Sequence, residues 1–314
     1  MSAMRFGVHL PHFGALASGA GTLRLAQRAE TLGYESVWVA DHIVYPRELT
    51  ERFGAEFYEA VTTLAFVAAH TAKVTVGTAV LVLPYRHPVV LAKQLATLDA
   101  LAGGRLIVGV GAGWLEEEYR ALGAPFEERG AATDEALHVM RSLWSGERAG
   151  LSGKFPGLGE SVFAPRPLRP PRVWVGGNSP RALRRAAELG DGWLPIWHAP
   201  TKRGFTPEAL RDKVAELAAL RRRAGRAGRA EIAALMPLAI TDAALPGPPQ
   251  ALIGTPDAIA ETLRRYRDSG VEHVILSPYY GLSPALSPKT LDDVDRVLSA
   301  FAHDVRSRLY LDYS

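Results

Sequence analysis

Leu23-Arg24-Leu25-Ala26-Gln27-Arg28-Ala29-Glu30-Thr31-Leu32-Gly33-Tyr34-Glu35-Ser36-Val37-Trp38-Val39-Ala40-Asp41-His42 contains one complete helix-to-strand unit. Leu23, Ala26, Ala29 and Leu32 recur at the spacing of one helix face, and the pattern stops at Gly33, a residue suited to a left-handed cap. Ser36 to Ala40 is then a short apolar run rich in valine, the pattern of a buried strand. The same grammar returns near the other end, where Thr255-Pro256 opens a helix carrying Ile259, Leu263 and Tyr266, and Gly270 closes it.

Eight such apolar runs are found: Arg5 to Leu10, Ser36 to Ala40, Val74 to Leu83, Leu106 to Val110, Arg172 to Val175, Gly192 to Ile196, Ile232 to Ile240 and His273 to Leu276. Strands alternating with helices imply parallel pairing and right-handed crossovers. The fold class predicted is α/β, a (β/α)8 TIM barrel in which residues 1–314 form a single domain. The spacing breaks after the fourth strand, so an insertion is expected over approximately 114–171, with its Gly/Pro-rich part, Gly146 to Pro171, placed over the barrel mouth. A last stripe of Leu291, Val294, Leu298, Phe301, Val305 and Leu309 is expected to pack across the barrel.

At 314 residues and 47% hydrophobic the chain can bury a large core. With no cysteine, disulfides, thiolate nucleophiles and cysteine-bound metals are excluded. The start has no signal-peptide pattern and no apolar stretch reaches the roughly 20 residues of a membrane span, so a soluble, cytoplasmic protein is expected. A net charge of +3 permits acidic ligands. The basic run Arg221-Arg222-Arg223 with Arg226 and Arg229 reads as a solvated helix end and loop, and no nucleic-acid motif accompanies it.

Barrel enzymes keep their chemistry at the carboxyl ends of the strands. The second strand ends in Asp41-His42, a carboxylate beside an imidazole that can pass protons, with Asp41 expected to orient His42. The plainer alternative is a surface turn in which the aspartate caps a helix. His9 and His12 follow the first strand, but neighbours on a strand alternate faces, so no metal site is assigned. The fourth strand runs into Gly109-Val110-Gly111-Ala112-Gly113-Trp114, whose glycines permit close backbone approach to a flat ring. The fifth gives Gly176-Gly177-Asn178-Ser179-Pro180, a turn that feeds a helix N-terminus and offers N–H groups to a phosphate, with Arg181, Arg184 and Arg185 nearby. Ordinary helix capping explains the same Ser-Pro pair.

In order and spacing, Gly33 to His42, Val76-Gly77-Thr78-Ala79-Val80-Leu81, Gly109 to Trp114, Val175-Gly176-Gly177 and Gly190-Asp191-Gly192-Trp193 together resemble the luciferase-like monooxygenase superfamily, especially its deazaflavin-dependent branch. The resemblance implies a cofactor ring over the third strand, with a cis peptide joining Ala79 and Val80. It places Asp41 and His42 near ring and substrate, Gly111, Ala112 and Gly113 against the cofactor, and Gly176, Gly177, Asn178 and Ser179 around its phosphate. The Asp-His pair points to coenzyme F420 rather than FMN. F420 implies hydride transfer to a small organic molecule; FMN implies a monooxygenase fed by a separate reductase. A barrel that binds the cofactor without catalysis is a third reading, opposed by the intact rim residues. Sugar-phosphate dehydrogenases of the family carry a glutamate where this chain has Trp114. That tryptophan, with Trp193 and Trp197, suggests a flat or hydrophobic substrate. A homodimer is the family expectation.

Overall fold

All eight predicted strands form. In the computed structural model, which describes residues 3–146, 161–167, 169–196, 204–243, 245, 248 and 250–309, the strands are β1 Arg5–His9, β2 Ser36–Val39, β3 Thr75–Thr78 continued by β4 Leu81–Val82, β5 Leu106–Gly111, β6 Arg172–Gly176, β7 Gly192–Leu194, β8 Glu231–Ile240, β9 Leu252–Gly254 and β10 His273–Ser277. Each barrel strand pairs in parallel with the next, and β10 pairs with both β8 and β1, so the sheet closes on itself. The three-residue β9 extends the end of β8 and was not expected from the sequence.

Between the strands lie α1 Gly19–Thr31, α2 Thr50–Phe53, α3 Ala60–Ala69, α4 Pro88–Leu101, α5 Glu116–Ala121, α6 Arg129–Ser145, α7 Pro180–Leu189, α8 Pro207–Arg223, α9 Pro256–Asp268 and α10 Leu291–Ala300. In α1 the inward stripe is Thr22, Leu25, Ala26 and Ala29, with Leu23 only half-buried. Gly33 takes the expected positive φ of 74° just beyond it. Three helices start by one device: the side chains of Ser179, Thr206 and Thr255 accept the N–H three residues on, and a proline follows each.

The barrel interior is unusual in its bulk. Trp38 and Trp174 stack inside it, ring centroids 5.0 Å apart and planes 20° from parallel, with Ile107, Leu194, Ala233 and Ile275 around them. Two indoles fit an eight-stranded barrel because the facing residues are small. A Cβ on Gly77 or Gly192 would overlap the Trp38 or Trp174 ring. Beneath them Trp38 Nε1 donates to Ser36 Oγ at 2.7 Å, and Ser36 lies 2.7 Å from His273 Nε2. Burial, with Arg5 and Arg172 nearby, pushes His273 down to about 3, so its ring is neutral. This floor reads as stability; the opposite face is left for chemistry.

Three expectations change. Helix α6 packs against α4 and is followed in the chain by β6, so it serves as a crossover helix rather than as insertion. The described end of the Gly/Pro-rich stretch lies against the outside of α4: Lys93 contacts the Ala164 carbonyl and sits 5.7 Å from the Phe163 ring centroid. Residues 147–160, like Trp197, fall outside the described residues. The last stripe packs between α1 and α9 on the barrel's exterior, with Phe301 edge-on to Phe6 at 5.1 Å. Finally, Arg221 is buried and donates to the carbonyls of Ala187, Gly190 and Gly228, while Arg226 pairs with Asp191 at 3.0 Å. Two of the five arginines of that run, Arg221 and Arg226, therefore cap the end of α7 instead of facing solvent.

Candidate active site

The carboxyl ends of the strands open into one cavity of about 600 Å³. Its floor is Val80, whose methyl groups sit over Gly111 and Gly176: a Cβ on either glycine would come within 2.7 Å of them. Those two glycines therefore make room for Val80. Gly113, with φ 68°, turns the chain out of the barrel beneath Val82 and Tyr119. The peptide between Ala79 and Val80 is cis, and both residues line the cavity.

Asp41 and His42 both line the cavity, but they do not touch each other as expected. Adjacent residues leaving a strand point to different sides. Asp41, with a fully buried carboxylate, accepts from the Val82 N–H at 2.9 Å and from Arg86 at 2.7 and 2.8 Å. It fastens the end of β2 to the strand that continues beyond the cis peptide. The partner of His42 is Glu118 on α5, which accepts from His42 Nδ1 at 2.8 Å. The same buried carboxylate accepts from Tyr85 Oη at 2.8 Å, from the Val44 N–H at 3.1 Å and from the Ile43 N–H. Burial alone would raise the pKa of Glu118, but His42, the Ile43 N–H and Tyr85 together hold it below its ordinary 4.5. A carboxylate with no proton to give fixes the His42 proton on Nδ1. Nε2 then remains as an acceptor, with no hydrogen bond among the described residues.

His12 stands behind this arrangement. Its Nδ1 lies 2.9 Å from the Leu10 carbonyl, and the Ala40 N–H donates to its Nε2 at 3.0 Å. Burial pushes His12 down to about 4, so it stays neutral and ties the loop after β1 to the residue preceding Asp41. His9 is buried in the cavity wall; burial and then His12 hold it well below its ordinary 6.5, and its Nε2 has no hydrogen bond among the described residues. Neither takes part in a metal cluster, and no group of three or more potential ligands exists among the described residues.

The cavity has two chemically different ends. One, built by the loops after β1, β2 and β10, is aromatic: Phe13 and Phe57 stack at 4.8 Å, and His42 lies 4.9 Å from Phe53 and 6.1 Å from Trp114. Trp114 is on this rim as expected, whereas Trp193 is buried on the outer side of β7, donating to the Gly177 carbonyl at 2.9 Å. The other end follows β5 and β6. There Asn178 is tied through both side-chain atoms to Ile196, at 2.7 and 2.8 Å, and Ser179 Oγ accepts from Ala182 at 3.1 Å. These side chains shape the turn, leaving the backbone N–H groups of Asn178, Ser179 and Arg181 without hydrogen bonds among the described residues. Exposed Arg181 and half-buried Arg129 line the same end.

Residues 4–245 match the family described as luciferase-like monooxygenase, and the chain belongs to that family of oxidoreductases. It is 30% identical over 299 residues to an uncharacterised protein of Mycobacterium tuberculosis, covering 91% of this chain and 94% of that one. It is 35% identical over 173 residues to an F420-dependent glucose-6-phosphate dehydrogenase of Kineococcus radiotolerans, covering 54% and 50%. Among solved structures it is similar to the monooxygenase RslO1 from Streptomyces bottropensis (TM-score 0.79, 25% identity, covering 97% and 99%). An F420-dependent secondary alcohol dehydrogenase shares the fold (TM-score 0.78, 20% identity, covering 96% and 98%).

Proposed function

We propose that this chain is a coenzyme F420-dependent oxidoreductase acting on a small apolar substrate with a carbonyl or an unsaturated bond. The observation that carries the reading is the His42–Glu118 pair at the aromatic end of a cavity whose other end presents free N–H groups and Arg181. The groups present fit a flat heterocycle on a phosphate-bearing tail. The Val80 floor offers an apolar surface to the ring, and the turn at Gly177 to Arg181 offers donors and the positive end of α7 to the phosphate. When bound, the deazaflavin supplies two-electron hydride chemistry.

The chain's own groups then do the rest. His42 Nε2 takes a proton from a substrate hydroxyl in the oxidising direction and returns it in the reducing one. Glu118, accepting from Nδ1, holds the proton of the neutral ring there, so that Nε2 is the nitrogen left to accept. Phe53, Phe57 and Trp114 exclude water from the reacting carbon. Trp114, standing where the family's sugar-phosphate dehydrogenases carry a glutamate, gives a hydroxylated sugar no partner. The similarity to the monooxygenase RslO1 supports a second reading, a monooxygenase, the reaction that the FMN alternative implies.

Two variants separate the two ends of the cavity. Arg181→Ala is expected to weaken F420 binding about tenfold through loss of one charge-assisted contact, measured by titration. His42→Ala is expected to leave that affinity in place while slowing turnover of a ketone and enone panel by about 10²-fold or more. Undiminished turnover in His42→Ala removes the proposed proton relay.

A further inference from the structure

The aromatic end of the cavity holds a cation that the reaction as proposed does not use. Arg52, on α2, lies with its guanidinium carbon 4.9 Å from the Phe53 ring centroid, 5.7 Å from that of Tyr280 and 5.9 Å from that of Trp114. Its Nη2 donates to Tyr280 Oη at 2.5 Å. It makes no ion pair among the described residues. The two buried carboxylates of this rim are committed elsewhere, Asp41 to Arg86 and Glu118 to His42 and Tyr85. Rings against a guanidinium satisfy its faces and leave its edge, where the N–H donors lie. One of those donors is used by Tyr280, and the others are available to the cavity that Arg52 lines.

We propose that Arg52 binds a carboxylate on the substrate, so that the enzyme acts on a flat, apolar organic acid. This rests on the reading of the cavity as a substrate site. The planar fork of arginine matches the two oxygens of a carboxylate, and an apolar surround strengthens the pair. The body of such an acid lies against the stacked Phe13 and Phe57 rings, which places the carbon chain between the anchored carboxylate and His42. Phosphate recognition at Arg181 follows β6, across the barrel mouth from α2, so the two cations read different molecules, Arg181 the cofactor and Arg52 the substrate.

The test uses the full-length chain and two non-reactive probes of one shape, cinnamate and cinnamamide, titrated by quenching of tryptophan fluorescence with Trp114 beside the site. The wild type is expected to bind cinnamate at least tenfold more tightly than cinnamamide, with the preference shrinking as salt is added. Arg52→Gln is expected to bring the two affinities within about twofold of each other. Equal binding of the two probes by the wild type overturns the proposal without recourse to any variant, as does a preference that survives in Arg52→Gln. Because these titrations contain no cofactor, a failure of F420 to bind would sink the proposed activity and leave this result standing.

Discussion

Glu118→Gln is expected to move the His42 proton from Nδ1 to Nε2. In the wild type one Glu118 oxygen serves the Ile43 and Val44 N–H groups while the other serves His42 Nδ1 and Tyr85 Oη. A glutamine keeps its oxygen on the two backbone donors, because turning its amide toward them would set N–H against N–H. The amide nitrogen then faces His42 Nδ1 and donates to it, so the ring proton moves to Nε2 and the nitrogen facing the cavity becomes a donor. Nitrogen-15 shifts of the His42 ring read this directly, without substrate. Turnover in the direction that needs Nε2 as acceptor is expected to fall by about 10²-fold, with F420 affinity unchanged. An unaltered tautomer in Glu118→Gln would show that Glu118 does not set the ring. The pH dependence has a fixed sign: with its pKa held below 4.5 in the folded protein, Glu118 contributes stability that is present above pH 4.5 and is lost as the pH falls through the lower folded value.

Asp41→Ala has a different signature. Its carboxylate is buried against Arg86, whose charge is opposed by burial and restored by the hydrogen bonds that Arg86 donates to Asp41 and Glu59. Truncation leaves a largely buried guanidinium with only the half-exposed Glu59 and strips the Val82 N–H of its acceptor. Breaking a pair of this kind costs about 3–5 kcal/mol, which thermal or urea unfolding would detect. The His42 proton is expected to remain on Nδ1. Were Asp41 the group that orients His42, the tautomer would change in this variant and stay fixed in Glu118→Gln, the reverse of both expectations.

Much of the barrel was legible because parallel strands buried on both faces appear as valine- and isoleucine-rich runs with little else to mimic them. The short β9 lacks that signal, having only Leu252, Ile253 and Gly254 to announce it. At the site, the position of His42 after a strand pointed to the rim, but its partner did not. Glu118 sits in Glu116-Glu117-Glu118, which looks like a solvated acidic first turn; only the buried Tyr119 beside it marks the inward face. Sequence adjacency suggested Asp41 instead, and strand geometry turned it away. Trp193 misled in the same manner: it follows Gly192 on β7, where alternation sends Leu194 inward and the indole outward. The glycines at the ends of β5 and β6 line the cavity, but Gly111 and Gly176 accommodate Val80, a demand made by another strand and invisible locally.

The central claim is that the cavity is built for a deazaflavin, and it is tested by titrating the purified protein with F420 and, separately, with FMN while following tryptophan fluorescence. The account predicts micromolar saturation by F420 and much weaker binding of FMN. Saturation by FMN alone would contradict it in favour of a monooxygenase, and binding of neither would contradict the assignment of the cavity itself.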